Sequence, residues 1–327
     1  MITMKEIAKQ AGVSSATVSK ILNGNDKYIS ELTRKRVMRI VKENNYIPNA
    51  VAKGLKVKRT STIGFILPDI SNPFFPEIAR GIEDTAENYG FAVTFCDTDN
   101  DPKRELMSFN LLKSKMVDGI IFTRILNDSN FDSYLADKLP IVIVDRKIEI
   151  KGRKFGKIMV DTRSAVQDTT KLLIDKGCKQ IAFIGAKNDY GDARYDGYID
   201  ALAEIGQKPE KVLCYLDDYT VECGREGVKT IFGCFRADGL ICGNDLIAVG
   251  AIDSLRGMGL NVPRDVKVTG IDDIYFSRYL SPPLTTVRQP AYEMGSAAVH
   301  MLIQNILYGQ PLHTKKLEYE IIQREST

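Results

Sequence analysis

Residues 3–24 read T-M-K-E-I-A-K-Q-A-G-V-S-S-A-T-V-S-K-I-L-N-G. Thr3 followed by Glu6 is a capping box, a helix start in which each side chain satisfies a free backbone N–H. Ile7, Ala8 and Ala11 then fall on one face of the helix that follows. Gly12 breaks it, because a tight turn between helices needs a residue tolerant of positive φ. Ser14 can cap a second helix, whose Val18 and Ile21 face back toward the first. Ala8 is small, so the two helices can approach closely, and Val13 plugs the corner between them. The pattern is a helix-turn-helix, and its second helix presents Ser15, Ala16 and Lys20 outward.

A solvated helical hairpin is the plain alternative, and the distribution of charge argues against it. Residues 1–60 carry 13 Lys+Arg against 4 Asp+Glu, whereas residues 61–327 carry 32 against 38. Basic charge gathered at one end of a mildly acidic body is an electrostatic footprint for nucleic acid. Lysines and arginines that displace phosphate counterions supply sequence-independent affinity, and outward side chains of the second helix read bases in the major groove.

The chain has 327 residues, enough for two or three domains. No N-terminal apolar run resembles a signal peptide, and no stretch approaches the length of a membrane span, so a cytoplasmic location is expected. Six cysteines (Cys96, Cys178, Cys214, Cys223, Cys234 and Cys242) lack CxxC spacing. They read as thiols in a reducing compartment rather than disulfides or a metal site. The two histidines, His300 and His313, both come late, which argues against a histidine-dependent triad or metal centre. No phosphate-loop or dinucleotide-binding glycine motif occurs, and neither a cofactor nor a metal is expected.

Ser30 can cap a third helix, from Glu31 to about Asn44, whose Val37, Ile40 and Val41 close a three-helix core. Pro48 can open a short helix over residues 49–56, followed by the basic linker Val57-Lys58-Arg59-Thr60. Two turns do not hold alone in water. Such a segment orders on DNA or against a second copy of itself, or else it is a plain tether.

From Ser61 strands and helices alternate. Strands are expected at Thr62–Leu67, Ala92–Cys96, Gly119–Phe122 and Ile141–Val144, with helices from the Pro73 region to about Tyr89 and over Pro102–Lys115. The alternation then restarts, with strands at Ile158–Val160, Ile181–Gly185, Val212–Tyr215, Gly239–Cys242, Val266–Thr269 and Thr285–Val287. Helices are expected at Thr162–Lys176, from near Gly191, and at Ala291–Leu307, before a final extended stretch at Leu317–Ile322. This is βαβ order, implying parallel sheets covered on both faces. An internal echo supports two lobes. Asp118-Gly119-Ile120-Ile121-Phe122 matches Asp238-Gly239-Leu240-Ile241-Cys242, and Ile63-Gly64-Phe65-Ile66 resembles Ile181-Ala182-Phe183-Ile184 at about the same offset. Two α/β lobes enclose a cleft, with ligands bound beyond the carboxyl ends of strands.

Those strand ends supply Asn72, Phe74 and Phe75, then Asp145 and Arg146, Arg194, Asn244, Asp272 and Gln289. The inventory suits a sugar. Aromatic rings pack on its C–H faces, Asp and Asn bond its hydroxyls, and Arg donates in a fixed fork. Taken singly, each has a structural alternative: the phenylalanines in a core, Asp272 as a helix cap, Asp145 and Arg146 as a local ion pair. Their common placement is the argument. Glycoside hydrolysis by these carboxylates is disfavoured, since arginine and amide partners should keep them ionised and engaged with hydroxyls.

The chain resembles the LacI/GalR family of bacterial transcription repressors over essentially its whole length. The resemblance is carried by K-E-I-A-K-Q-A-G-V-S-S-A-T-V-S at 5–19, Y-I-P-N-A-V-A at 46–52, L-P-D-I-S-N-P-F-F at 67–75, G-N-D-L-I-A-V-G-A at 243–251 and S-P-P-L-T-T-V-R-Q-P at 281–290. It implies an all-α helix-turn-helix domain (1–48), a hinge helix and linker (49–60), and an α/β two-lobed, periplasmic-binding-protein-like body of two doubly wound parallel sheets (61–327). The N-lobe would take about 61–160 and 291–320, and the C-lobe about 161–290 and 321–327. The resemblance implies that Ser15, Ala16 and Lys20 face bases and that Thr17 and Ser19 support phosphate contacts. Thr3, Ser14, Asn23, Asn49 and Ala52 join the DNA set, and Leu55 wedges into the minor groove. Gly54 departs from the family pattern and weakens the hinge helix. In the cleft, Asn72, Phe74, Phe75, Asp145, Arg146, Arg194, Asn244, Asp272 and Gln289 match a ribose-binding pattern, with Tyr219 as the remaining aromatic. Asn188-Asp189-Tyr190 is a stretch where family members differ.

The implied protein is a homodimeric repressor of a sugar-utilisation operon, released allosterically from a pseudo-palindromic operator by a small sugar such as ribose. A sugar acid, another metabolite or a protein corepressor is the alternative effector, and a sugar carrier is the alternative class. No enzymatic turnover is expected. The chain stops soon after Ile322, without the C-terminal heptad helix of a tetramer, which favours a dimer.

Overall fold

The computed structural model describes residues 2–46, 59–123, 139–145, 155–187 and 193–327. The proposed hinge helix therefore lies outside the described residues, as do Asn49, Ala52, Gly54, Leu55, Arg146 and Asn188–Tyr190. The chain divides into two compact units, Met1–Thr60 and Ser61–Thr327.

The first unit is built from α1 (Met4–Ala11), α2 (Ser15–Leu22) and α3 (Glu31–Glu43). Each begins on the residue its sequence predicts. Thr3 accepts from the Glu6 N–H at 3.3 Å, while the Glu6 carboxylate accepts from the Thr3 N–H at 2.7 Å, closing the capping box. Ser14 and Ser30 accept from the N–H groups of Thr17 and Thr33 at 3.1 and 3.3 Å. Gly12 ends α1 at φ 62°, the left-handed region where a side chain is disfavoured. Ile7, Ala8, Ala11, Val18, Ile21, Val37 and Ile40 form the buried core, with Val13 and Val41 packed against it.

Among the described residues the second unit holds twelve strands in two sheets. The first sheet has β1 (Thr62–Leu67), β2 (Ala92–Asp97), β3 (Gly119–Phe122), β4 (Ile141–Val144), β5 (Gly156–Val160) and β11 (Thr314–Leu317). Its order is β11-β5-β4-β3-β1-β2, parallel throughout. The second has β6 (Ile181–Ala186), β7 (Cys214–Asp217), β8 (Gly239–Cys242), β9 (Lys267–Asp272), β10 (Thr285–Arg288) and β12 (Glu320–Ile322). Its order is β12-β10-β9-β8-β6-β7, with only β12 antiparallel. The helices are α4 (Phe74–Asn88), α5 (Pro102–Ser114), α6 (Thr162–Asp175), α7 (Arg194–Glu204), α8 (Val221–Phe232), α9 (Asp245–Gly257) and α10 (Ala291–Tyr308).

Most elements fall where periodicity places them, and two departures are instructive. The extended stretch expected at Leu317–Ile322 is two strands in different sheets, β11 and β12. Between them Tyr319 packs on both lobe cores, and its hydroxyl donates to Asp168 at 2.6 Å. The strand expected at Val212–Tyr215 is a 3-10 turn at Lys211–Leu213 followed by a strand at Cys214–Asp217.

The internal echo has a structural cause. Asp118 accepts from the Ser61 N–H at 2.7 Å at the start of β1. Asp238 accepts from the Lys179 and Gln180 N–H groups just before β6. In each lobe one aspartate ties the start of the third strand to the start of the first. The lobes also share a helix-packing device. A Cβ on Gly81 or Gly295 would strike a backbone carbonyl of the facing helix, and Gly224 and Gly250 stand in the same relation in the C-lobe.

In both sheets the strand order reverses beside the first strand, between β1 and β3 and between β6 and β8. Loops leaving the carboxyl ends of β1 and β8 border these switch points, where a ligand crevice forms.

Candidate functional site

In the N-terminal unit, Ala16 and Lys20 are exposed on α2, and Ser15, Thr17 and Ser19 are half-buried. The Ser14 and Thr17 hydroxyls lie 2.9 Å apart. Asn23 closes the helix by donating to the Ser19 carbonyl at 2.7 Å. Thr3, Ser14 and Asn23 thus have structural duties at helix ends, while Ala16 and Lys20 are left to meet a partner. Sequence reading passed over Tyr28 and Leu32, which are 95% and 84% exposed and four residues apart. An exposed tyrosine and leucine beside a helix start do nothing for the fold of a small domain, and apolar exposure of this kind marks contact surface.

In the second unit a cavity of about 120 Å³ collects side chains from both lobes. That is well below the several hundred cubic ångströms that drug-sized ligands need, and suits a small polar one. Asn72, Phe74, Phe75 and Asp145 line it from the first lobe, and Arg194, Tyr219, Asn244 and Asp272 from the second. Gln289 stands behind them.

Local structure places each group. Asn72 is buried and accepts from the Phe74 N–H at 3.1 Å, fixing the turn into α4. Phe74 and Phe75 open that helix with their rings edge to face, centroids 5.4 Å apart, and belong both to the N-lobe core and to the cleft wall. Arg194 is the first residue of α7 and donates to the Gly243 carbonyl at 2.9 Å. Its guanidinium lies over the Tyr219 ring, 4.7 Å from the centroid, a cation–π stack that holds the fork flat. Asn244 caps α9, accepting from the Ile247 N–H at 2.9 Å. Asp272 ends β9 with φ 115°, and Asp145 follows β4 with φ 73°, so both carboxylates sit on left-handed backbone at strand ends. The Gln289 amide donates to Oδ1 of Asp272 at 2.8 Å.

At Asp272 burial opposes the arginine and amide partners expected to keep the carboxylate ionised. Burial pushes its carboxyl well above the ordinary range, although Arg194 and the Gln289 amide pull it down. Desolvation outweighs a guanidinium that is itself engaged with Gly243 and Tyr219.

Further residues line the cavity that sequence reading did not name. Asp161, Thr162 and Arg163 follow β5, where the strand-end rule would have found them, and Asp218 and Thr220 flank Tyr219. Lys316 carried no signal, because it lies within a strand and reaches the cleft through the pairing of β11 with β5. Arg163 is held away from ligand duty by a bidentate pair with Asp200. Among the described residues no group of three or more acidic, histidine or cysteine side chains is placed to hold a metal. No helix among them is long and apolar enough to cross a membrane.

A helix-turn-helix unit joined to a two-lobed body with a polar inter-lobe cleft defines a ligand-responsive DNA-binding regulator. The family model for bacterial regulatory proteins of the lacI family matches residues 3–49, and that for a periplasmic binding protein-like domain matches residues 170–327. The HTH-type transcriptional regulator RegA of Clostridium saccharobutylicum is 42% identical over 99% of both chains. The ribose operon repressor of Haemophilus influenzae is 37% identical over 100% of this chain and 98% of its own. A solved structure of a LacI-family transcriptional regulator from Enterococcus faecium with bound ribose is 26% identical. It superposes with a TM-score of 0.73 over 81% of this chain and 98% of that one. The chain belongs to the LacI family, and it is a DNA-binding transcriptional regulator rather than an enzyme.

Proposed function

We propose that the chain represses a sugar-utilisation operon as a homodimer and that D-ribose, bound in the inter-lobe cleft, releases it from a pseudo-palindromic operator. The observation that carries the ribose reading is the cleft itself. An aromatic pair from one lobe faces Asp272 and an Arg194 fork from the other, with Gln289 bonded to Asp272 from behind. That is one apolar wall for a sugar ring and several charged or amide groups for its hydroxyls. Ribose also appears in the name of the Haemophilus relative and in the Enterococcus structure.

Exposed apolar side chains on both lobes support the dimer. Phe95, Leu106, Met107, Leu111 and Met116 lie on the N-lobe, and Tyr275, Phe276 and Tyr279 on the C-lobe. Apolar exposure on each lobe fits a partner copy that spans both. Such an interface feels any change in the angle between lobes. The free energy available to release DNA is then the difference in sugar affinity between the two lobe arrangements. In the DNA-binding unit, Ser15, Ala16 and Lys20 face bases, and Thr17 and Ser19 support phosphate contacts.

Fluorescence anisotropy of labelled upstream DNA at fixed salt, with and without D-ribose, tests the proposal. The chain has no tryptophan, so the label sits on the DNA. Release by ribose but not by glucose is expected. Binding unmoved by ribose removes the ribose assignment, tighter binding makes the sugar a corepressor, and absence of specific binding removes the operator model.

A further inference from the structure

Asp245 is fully buried and does not line the cleft, yet it is bonded to three separate places around it. Its Oδ2 accepts from the Ile274 N–H at 2.9 Å and from the Ser277 hydroxyl at 2.5 Å. Its Oδ1 accepts from the Thr286 hydroxyl at 2.6 Å. Gly270 lies against the same carboxylate, and a Cβ there would collide with Oδ1. Strand β10, Ile274 and the 3-10 turn Tyr275–Tyr279 are thereby fixed to the first turn of α9 by one side chain, and β9 lies against it at Gly270.

The two loops that Asp245 joins have the same make-up. In one, Asn244 faces the cleft, and Leu246, two residues on, packs on the core of the opposite lobe. In the other, Asp272 faces the cleft, and Ile274, two residues on, is buried in that same opposite core. Immediately beyond Ile274 come Tyr275, Phe276 and Tyr279, which are exposed. Each loop therefore carries a ligand-facing group and an apolar group seated in the other lobe. The second loop also carries the aromatic patch.

We infer that Asp245 is a positioning residue for the allosteric response: it makes the two cleft loops move as one body and passes occupancy of the cleft to the Ile274 contact and the aromatic patch. A ligand that pulls on Asn244 and Asp272 then shifts Leu246, Ile274 and the turn together. Without the carboxylate each loop can accommodate the ligand separately, and binding no longer moves the turn.

This inference rests on the reading of the cleft as the effector site, and the experiment separates the two. Sugar affinity is measured by calorimetry, and operator affinity by anisotropy with and without saturating D-ribose, for the full chain and for Asp245→Asn and Ser277→Ala. The coupling factor is the ratio of the two operator affinities. For both variants we expect sugar affinity within about threefold of the parent and a coupling factor reduced roughly tenfold toward one. A coupling factor equal to the parent's in a folded variant overturns the inference, as does one that falls only in step with sugar affinity. Should Asp245→Asn fail to fold, Ser277→Ala, which removes a single donor, decides by the same criteria. A parent chain that ignores every sugar tested overturns the effector reading itself.

Discussion

The Gln289 side chain donates to the carboxyl of Asp272 across 2.8 Å, and both residues are buried, Asp272 in the cleft lining and Gln289 behind it. The Gln289 Oε1 atom is buried with no hydrogen-bond partner among the described residues. An orphaned acceptor costs about 1–3 kcal/mol, so this pair gains from a ligand that brings hydroxyl donors. Asp272→Asn substitutes an amide for the carboxyl and should weaken ribose binding roughly tenfold to a hundredfold, about the cost of leaving a buried hydroxyl without its partner. Operator affinity without sugar should stay within about twofold, since the residue lies in the second unit. Calorimetry and anisotropy on the same preparation check both halves.

The stack of Arg194 on Tyr219 predicts that lysine is no substitute. Arg194→Lys keeps the charge but loses the flat guanidinium 4.7 Å over the ring. Ribose affinity should fall about tenfold, an effect of the size expected for a desolvated cation–π contact. Tyr219→Phe keeps the ring and should cost less than threefold. An Arg194→Lys affinity equal to the parent's would remove the stack from the binding argument.

Asp245 sets a pH dependence of stability. Burial pushes its carboxyl up to about 7, against the pull of the Ser277, Thr286 and Ile274 donors. The folded chain therefore holds a proton that the unfolded chain releases near the ordinary carboxylate value. Stability from this group is fully present below about pH 4 and is lost as pH rises through about 7. A shift of about three pK units corresponds to roughly 4 kcal/mol, and Asp272, also raised, acts in the same direction. Urea unfolding at pH 5 and pH 8 should show the second unit less stable at the higher pH. Asp245→Asn should flatten the difference, and an unchanged slope in that variant would falsify the assignment.

The exposed Lys20 on α2, placed against bases, predicts a contribution to specificity. Lys20→Ala should weaken operator binding by about 1–3 kcal/mol and relax the base preference at one position of each half-site. Ala16→Asp should abolish specific binding by placing a carboxylate against the duplex. Both should leave ribose affinity unchanged. An unchanged base preference at every operator position would place Lys20 away from the bases.

The crossing of α4 and α10 predicts a steric penalty. A Cβ at Gly295 meets the Ile78 carbonyl and the Ile82 amide, neither of which can move aside. Gly295→Ala should destabilise the second unit by about 1–3 kcal/mol, the usual cost of overpacking. Thermal unfolding measures it, with Gly257→Ala, which has open space around it, as the control.

Much of this protein is local in origin and was legible without the fold. Thr3, Ser14 and Ser30 cap their helices because the bonds they make span three residues. Short apolar runs between turn residues marked β1, β3, β4 and β8 to the residue, since a strand buried on both faces needs an unbroken apolar run. The strand-end rule brought seven of the proposed ligand residues to one cavity, and the family resemblance supplied Tyr219. Long-range decisions were not legible. That β11 and β12 part into different sheets depends on which edge each finds, and Lys316 reaches the cleft only as a result. The raised carboxyl of Asp272 could not be read from its neighbours in sequence, because desolvation by the whole lobe outweighs the nearby Arg194. Asp245 read as part of a family motif. Only the tertiary structure gave it Ile274, Ser277 and Thr286 as partners, some thirty to forty residues away. Hydrogen-bond caps and apolar periodicity act over a few residues and are written in the sequence. Burial and the choice of distant partners are properties of the packed whole.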